Sequence, residues 1–160
     1  MKFFSGFCLK DEKELFKEYL DECDLCVAGF SKGAILAVEY ALKNRVKKLQ
    51  LFSPAFFTFD KRIIKLNIDG FKKDKNSYIK RFLKKAGLYE EKYIDNCSEE
   101  ELKMMFEYDW NRIKSLKADI EIYIGIYDKI IDTKKAIEFF KDVGVVYLLK
   151  ANHFLKEISG

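Results

Sequence analysis

The sequence predicts an α/β domain: a mostly parallel, five-stranded sheet with a helical insertion between its third and fourth strands. Short apolar runs alternate with helical patterns, as expected where crossover helices lay strands parallel. The apolar run ending in Cys26-Val27-Ala28 breaks at Gly29-Phe30-Ser31-Lys32-Gly33 into an Ala-rich helix, an abrupt strand-to-helix turn that carries a serine. Between Ala55 and Ser115 the strand pattern gives way to helices and loops. A chain of 160 residues, 49% of them hydrophobic, is enough for one core, so residues 1–160 are read as one domain with 55–115 as a helical cap insertion.

Taken in order, residues 2–5 form a very short strand that runs into Ser5-Gly6-Phe7-Cys8. Leu15, Phe16, Tyr19 and Leu20 recur at helical spacing between Lys10 and Asp21. Asp24–Ala28 is the second strand, Lys32–Lys43 the helix after the serine, and Val46–Ser53 a third strand stopped at Pro54, the only proline. Asp119–Gly125, with alternating Ile120, Ile122 and Ile124, is the fourth strand. Thr133–Lys141 reads as a helix, Gly144–Leu149 as the fifth strand, and Asn152 onward as a loop with a short terminal helix. Right-handed connections in sequential strand order put most helices on one sheet face. The other face is then expected to be thinly covered, by the last few residues and the insertion, and self-association as a homodimer is the corresponding expectation.

Composition excludes several function classes. The net charge of +4 is mild and no recognised nucleic-acid motif accompanies it, so no nucleic-acid partner is expected. No apolar run reaches the roughly 18–20 residues of a membrane span. Met1-Lys2-Phe3-Phe4-Ser5-Gly6-Phe7 is too soon interrupted by charge to read as a secretory signal, which points to a soluble, cytoplasmic protein. Cys23-x-x-Cys26 lacks a second pair and the chain has one His, so no metal is expected and Cys8, Cys23, Cys26 and Cys97 are read as reduced thiols. No cofactor motif is present.

The chemistry-bearing residues gather at strand ends. Gly29-x-Ser31-x-Gly33 between strand and helix is a nucleophile elbow: the serine stands exposed on a strained turn, and Gly29 and Gly33 leave room where helix and strand cross. A serine hydroxyl needs a base, and His153, directly after the last predicted strand, is the one histidine. The imidazole needs an acid to fix its tautomer. Asp128 and Asp132 both follow the fourth strand; Asp128 is nearer its end, while Asp132 before Thr133 reads as a helix N-cap. Asp119 precedes its strand and belongs to the wrong edge. An oxyanion at Ser31 would need two donors, expected from the backbone N–H groups of Lys32 and Phe7.

The insertion divides by charge. Its first arm carries Lys61, Arg62, Lys65, Lys72, Lys73, Lys80, Arg81 and Lys84, and its second is dominated by Glu and Asp. Such runs commonly coat solvated helix faces; the sharper reading is a basic dock for an acidic partner. Phe56, Phe57, Phe59, Phe82 and Phe106 could roof a channel for an acyl chain, or simply form the insertion's own core.

These motifs together carry a resemblance. Phe3-Phe4-Ser5-Gly6-Phe7, Gly29-Phe30-Ser31-Lys32-Gly33-Ala34 with Glu39-Tyr40-Ala41, Leu51-Phe52-Ser53-Pro54, Ile124-Gly125 with Asp128, and Asn152-His153 resemble the small BioV-type pimeloyl-acyl carrier protein methyl ester esterases along the whole chain. The resemblance implies a minimal α/β-hydrolase fold and a carboxylesterase that removes the methyl ester of pimeloyl-acyl carrier protein in biotin precursor synthesis. It implies Ser31, Asp128 and His153 as the triad, and a carrier protein as partner for the basic arm. The chain departs from the wider hydrolase pattern in lacking early strands and in having Ser5-Gly6-Phe7 where His-Gly-aromatic is commoner. An acyl-carrier thioesterase or another small carboxylesterase is the alternative, since the same chemistry serves both. A non-catalytic hydrolase-like binding module is the second alternative.

Overall fold

The computed structural model describes residues 1–158. Its frame is one parallel sheet of five strands in the order β1 (Lys2–Phe4), β2 (Cys26–Phe30), β3 (Lys48–Phe52), β4 (Asp119–Gly125) and β5 (Val145–Leu149). Sequential order with every pair parallel sends each connection back across the sheet, so all carboxyl ends lie along one rim. Side chains alternate between faces. Val27, Gly29, Leu49, Leu51, Ile120 and Ile122 share the face that receives α1 (Lys32–Lys43), an Ala-rich helix that buries Ala34, Ile35, Ala37 and Val38. α5 (Thr133–Phe140) packs on β4 and β5.

The opposite face is covered in part differently from expectation. Helical spacing at 10–21 yields only a 3-10 run, Glu12–Phe16, because Asp11 sits at φ 59° and starts no regular helix. The apolar side chains still serve the sheet: Phe16 stacks on Phe52 at 5.0 Å and lies 4.8 Å from Phe30, and Tyr19 sits 5.3 Å from Tyr123. Buried Gln50 completes this layer, accepting from the Asp21 N–H (2.8 Å) and donating to the Tyr19 carbonyl (2.7 Å) and to Glu121 (3.0 Å). Residues 12–21 therefore roof much of this face, the terminus adds Phe154 against Phe30 at 4.8 Å as expected, and on β5 Tyr147 is exposed.

Several strand boundaries shift, by one residue in β1 and β5 and by more in β2 and β3. β2 begins at Cys26, not Asp24, because residues 23–26 form a turn closed by the Cys26 N–H to the Cys23 carbonyl (3.2 Å). It then runs to Phe30, the residue before the serine. β3 is confined to Lys48–Phe52. Beyond β5 no helix forms among the described residues: Ala151 bridges Glu157, and the Asn152 N–H donates to the Lys156 carbonyl (3.1 Å).

Residues 55–115 carry α2 (Lys61–Lys73), α3 (Lys75–Ala86) and α4 (Glu99–Glu107), with 3-10 turns at Glu91–Tyr93 and Trp110–Ser115. Each α-helix has a side-chain N-cap: Asp60 accepts from Ile63, Asp74 from Ser77 and Ser98 from Glu101. The expectation of reduced thiols is overturned. Cys8 is bonded to Cys97 (Cα–Cα 4.8 Å) and Cys23 to Cys26 (5.0 Å), leaving no free cysteine. The first pair meets because the bridge Leu9–Ile94 lays the loop after β1 against the insertion, and the second because a two-residue turn returns the chain on itself. Disulfides belong to oxidising compartments, which pulls against a cytoplasmic reading. No helix among the described residues is long and apolar enough to cross a membrane.

Candidate active site

Ser31 joins β2 directly to α1 and is held at φ 56°, ψ −114°, a left-handed conformation uncommon for a side-chain-bearing residue. The turn is fixed from both sides, the Ser31 N–H donating to the Phe52 carbonyl (2.9 Å) and the Ser31 carbonyl accepting from Ala55 (3.2 Å). Such a turn needs close backbone approach. A methyl on Gly29 would sit 2.0 Å from the Gly33 carbonyl oxygen, and one on Gly33 would sit 1.9 Å from the Phe4 carbonyl oxygen. The two elbow glycines are thus where helix, strand and the end of β1 touch.

Ser31, Asp128 and His153 come from the ends of β2, β4 and β5 and meet at one rim. His153 Nε2 lies 3.0 Å from Ser31 Oγ, and His153 Nδ1 lies 2.6 Å from Asp128 Oδ2. The carboxylate's other oxygen, Oδ1, accepts the N–H groups of Ile130 (2.7 Å) and Ile131 (3.2 Å), so it is oriented before it meets the ring. With Nδ1–H donating to Asp128, Nε2 is left as acceptor for the serine proton. The Asp128 side chain is fully buried and that of His153 nearly so, which removes competing water from the pair. Asp132 does something else: it caps α5 through the Lys135 N–H (3.3 Å) and accepts from Thr58 (2.6 Å). Asp119 opens β4 at the opposite edge.

Two features that place His153 carry only a weak signal in the sequence. The loop 150–153 crosses β4 where a side chain cannot stand, since a methyl on Gly125 would lie 2.4 Å from the Ala151 carbonyl oxygen. Buried Ser53, at φ 45° just past β3, donates its hydroxyl to the His153 carbonyl (2.5 Å). Its neighbour Pro54 marks the turn, but nothing in the pattern says that this hydroxyl reaches a residue 100 positions away.

Of the expected oxyanion donors, Lys32 follows the serine directly and Phe7 borders the space in front of it. Lys32 is the first residue of α1, so its N–H has no intrahelical acceptor. Its ammonium is turned away to Glu101 at 2.7 Å, tying the start of α1 to α4. Phe7 lines the space in front of Ser31 together with Phe82, Leu83, Ala86 and His153; that space is closed, with no volume the size of a water. On the other side of Phe82 lies a groove of 480 Å³ between α2, α3 and α4, walled by Phe57, Phe59, Phe82 and Phe106, with exposed Arg81 and Lys85 along it. Tyr78 in this groove donates to Asn67 (2.8 Å), and burial pushes its hydroxyl up to about 12.

The basic arm is placed on α2 and α3. Lys61, Arg62, Lys65, Lys72, Lys73, Lys80, Arg81 and Lys84 are all exposed. Lys65 pairs with Asp69 and Lys72 with Glu99; among the described residues the other six make no salt bridge. No cluster of metal-ligating side chains occurs among the described residues.

No family profile matches the chain. No curated protein matches it closely enough to count as a relative. Solved structures do resemble it. BioG from Haemophilus influenzae superposes with a TM-score of 0.67 at 14% identity, covering 96% of this chain and 87% of that one. The esterase EaEST from Exiguobacterium antarcticum gives 0.65 at 20% identity, covering 89% of this chain; only 64% of that esterase's length is matched. A monoacylglycerol lipase from Paleococcus ferrophilus gives 0.61 at 11% identity, covering 95% and 84%. With a serine elbow after the second strand, an aspartate after the fourth and a histidine after the fifth, all at one rim of a parallel sheet, the chain has the α/β-hydrolase fold.

Proposed function

We propose that the protein is a serine carboxylesterase that hydrolyses the methyl ester of pimeloyl-acyl carrier protein, with Ser31, His153 and Asp128 as its triad. The observation that carries this reading is the hydrogen-bonded line from Asp128 Oδ2 through both ring nitrogens of His153 to Ser31 Oγ. His153 Nε2 takes the proton as Ser31 Oγ attacks the ester carbonyl, and Asp128 stabilises the imidazolium that results. The oxyanion is met by the N–H of Lys32 at the start of α1, where the helix dipole adds positive potential, and by the N–H of Phe7 from the loop after β1. His153 then protonates the departing methoxide, releasing methanol and leaving an acyl-enzyme. Water, deprotonated by the same nitrogen, attacks that ester; the carboxylate leaves and Ser31 regains its proton.

Substrate identity rests on three supports beyond the triad. The aromatic groove of 480 Å³ shares Phe82 with the space in front of Ser31, and its apolar walls suit an acyl chain. Six of the eight cations named above on α2 and α3, exposed and without a salt bridge among the described residues, suit an acidic carrier. The end-to-end resemblance of the motifs to BioV-type esterases gives the ester its name, and two of the structural neighbours are called an esterase and a lipase. Residues 55–115 serve as the cap over the site.

Mass spectrometry of methyl-pimeloyl carrier protein incubated with wild type and with Ser31→Ala tests the reading. Loss of one methylene mass with wild type alone is the expected result. Loss of the whole acyl group would make the protein a thioesterase, and an unchanged substrate would end the proposal.

A further inference from the structure

Glu12 has no part in the chemistry above, yet it is fully buried. One carboxylate oxygen, Oε2, accepts the Gly6 N–H at 2.7 Å; the other, Oε1, is buried with no hydrogen-bond partner. A carboxylate half satisfied in the interior costs stability, because desolvation is not repaid by hydrogen bonds or by a paired cation. Glu12 makes no salt bridge among the described residues. Stability alone therefore gives no reason for an acid at this position, and its one contact indicates where a reason lies.

That contact is on the loop expected to supply the second oxyanion donor. Gly6 is held at both ends: its N–H by Glu12, and its carbonyl by the Leu9 N–H at 3.2 Å. The peptide between Gly6 and Phe7 is trans and planar, so its N–H points opposite to its carbonyl. Fixing the Gly6 carbonyl toward Leu9 aims the Phe7 N–H the other way, and among the described residues that N–H donates to no protein acceptor. Phe7 borders the space in front of Ser31, and a Cβ on Gly6 would lie 3.1 Å from the carbonyl oxygen of Phe30, the residue before the serine.

We infer that Glu12 is a positioning residue: its carboxylate anchors the Ser5–Gly6 peptide through the Gly6 N–H while Leu9 holds the Gly6 carbonyl, and the loop so fixed at both sides of Gly6 turns the Phe7 N–H toward the oxygen that becomes anionic when Ser31 attacks. This rests on the esterase reading. Glu12 touches neither substrate nor reacting atoms, and acts only through the backbone of Gly6 and Phe7.

The test compares wild type with Glu12→Met, Glu12→Ala and Glu12→Gln by three measurements: kcat and KM on a p-nitrophenyl ester, affinity for a boronic acid that forms a tetrahedral adduct on the serine, and thermal melting. Met keeps the volume and removes the acceptor. It is expected to fold, to melt at or above wild type, and to lose about 10–100-fold in kcat with KM within about twofold; misplacing an oxyanion donor acts on the transition state. Boronate affinity falls by the same factor. Gln, which keeps an acceptor for Gly6, recovers kcat to within about threefold of wild type. A Met variant with wild-type kcat overturns the inference, as does a loss of kcat without loss of boronate affinity. A Met variant that fails to fold also overturns it, since the carboxylate would then be structural. Wild type that neither cleaves esters nor reacts at Ser31 with a fluorophosphonate removes the esterase reading itself and this role with it; active wild type with an unaffected Met variant removes this role alone.

Discussion

The rim of the sheet and the α2–α3 pair above it are held by different forces. At the rim, Ser31, Ser53, Asp128 and His153 are buried, and each is fixed by at least one hydrogen bond to another strand's loop. The α2–α3 pair instead buries only Phe71 from thirteen residues of α2, and Leu83 and Ala86 from twelve of α3; the rest of its surface is largely Lys, Arg and half-buried apolar side chains. Few buried contacts mean a low free energy of local opening. The difference teaches that reactive geometry is built in advance whereas access is not. Side chains of α3, with Phe7 and Leu9, leave no water-sized space in front of Ser31.

The largest effect is expected from breaking the rim without disturbing the layer above. Asp128→Asn keeps an oxygen for the Ile130 and Ile131 N–H groups but no longer fixes the Nδ1–H tautomer of His153. It should lower kcat by about 10³–10⁴-fold, as loss of the triad carboxylate does elsewhere, with melting nearly unchanged. Loss of kcat by less than about tenfold would assign the triad acid to another group.

Next in size is the covalent link between the two regions. Cys8 follows Phe7 on the rim loop, and Cys97 lies in the insertion just before the N-cap of α4. With a sequence separation of 89, chain entropy gives this disulfide about 4–5 kcal/mol, against about 2 kcal/mol for Cys23–Cys26 with its separation of 3. Urea unfolding of Cys8→Ser/Cys97→Ser should show the larger loss, and Cys23→Ser/Cys26→Ser the smaller. Thiol titration of the denatured, unreduced protein checks the premise, since no free thiol is expected.

A smaller, opposite effect is expected at the partition between the two regions. Phe82 faces both the groove and the closed space before Ser31. Phe82→Ala should open that space and raise the rate of fluorophosphonate labelling of Ser31 by about tenfold, as expected if side-chain gating limits access. An unchanged rate would mean that entry runs through another wall.

Much of this comparison was legible in the sequence, and unevenly. The rim was readable because strand-to-helix punctuation is local: Gly29, Ser31 and Gly33 declare the elbow, and a single histidine leaves one imidazole to stand beside the serine. Asp128 over Asp132 followed from distance to a strand end, and the N-cap role of Asp132 from the helical run after it. What was not legible depends on contacts distant in sequence. Residues 10–21 have helical spacing, yet Asp11 at φ 59°, Glu12 bonded to Gly6, and Phe16 and Tyr19 laid on the sheet made them an irregular cover. The partners of Cys8 and Ser53 lie 89 and 100 residues away, and no periodicity encodes such pairings.

The smallest effect is the one that tests what the α2–α3 layer is for. If the cations of α2 and α3 steer an acidic carrier, their contribution belongs to encounter and not to chemistry. Lys80 and Arg81 lie on one exposed turn of α3, and Arg81 also lines the groove. Lys80→Ala and Arg81→Ala should each raise KM for the carrier-borne ester only several-fold, because a rim charge contributes little alone. Neither should change kcat, nor kcat/KM for a small ester that has no carrier. Raising ionic strength should weaken the wild type toward the variants on the carrier substrate alone, since exposed charges are screened over about 8 Å at physiological salt. Equal losses on both esters would mean that these side chains hold the groove in shape instead. That result would leave the rim as the only region whose charges serve the reaction.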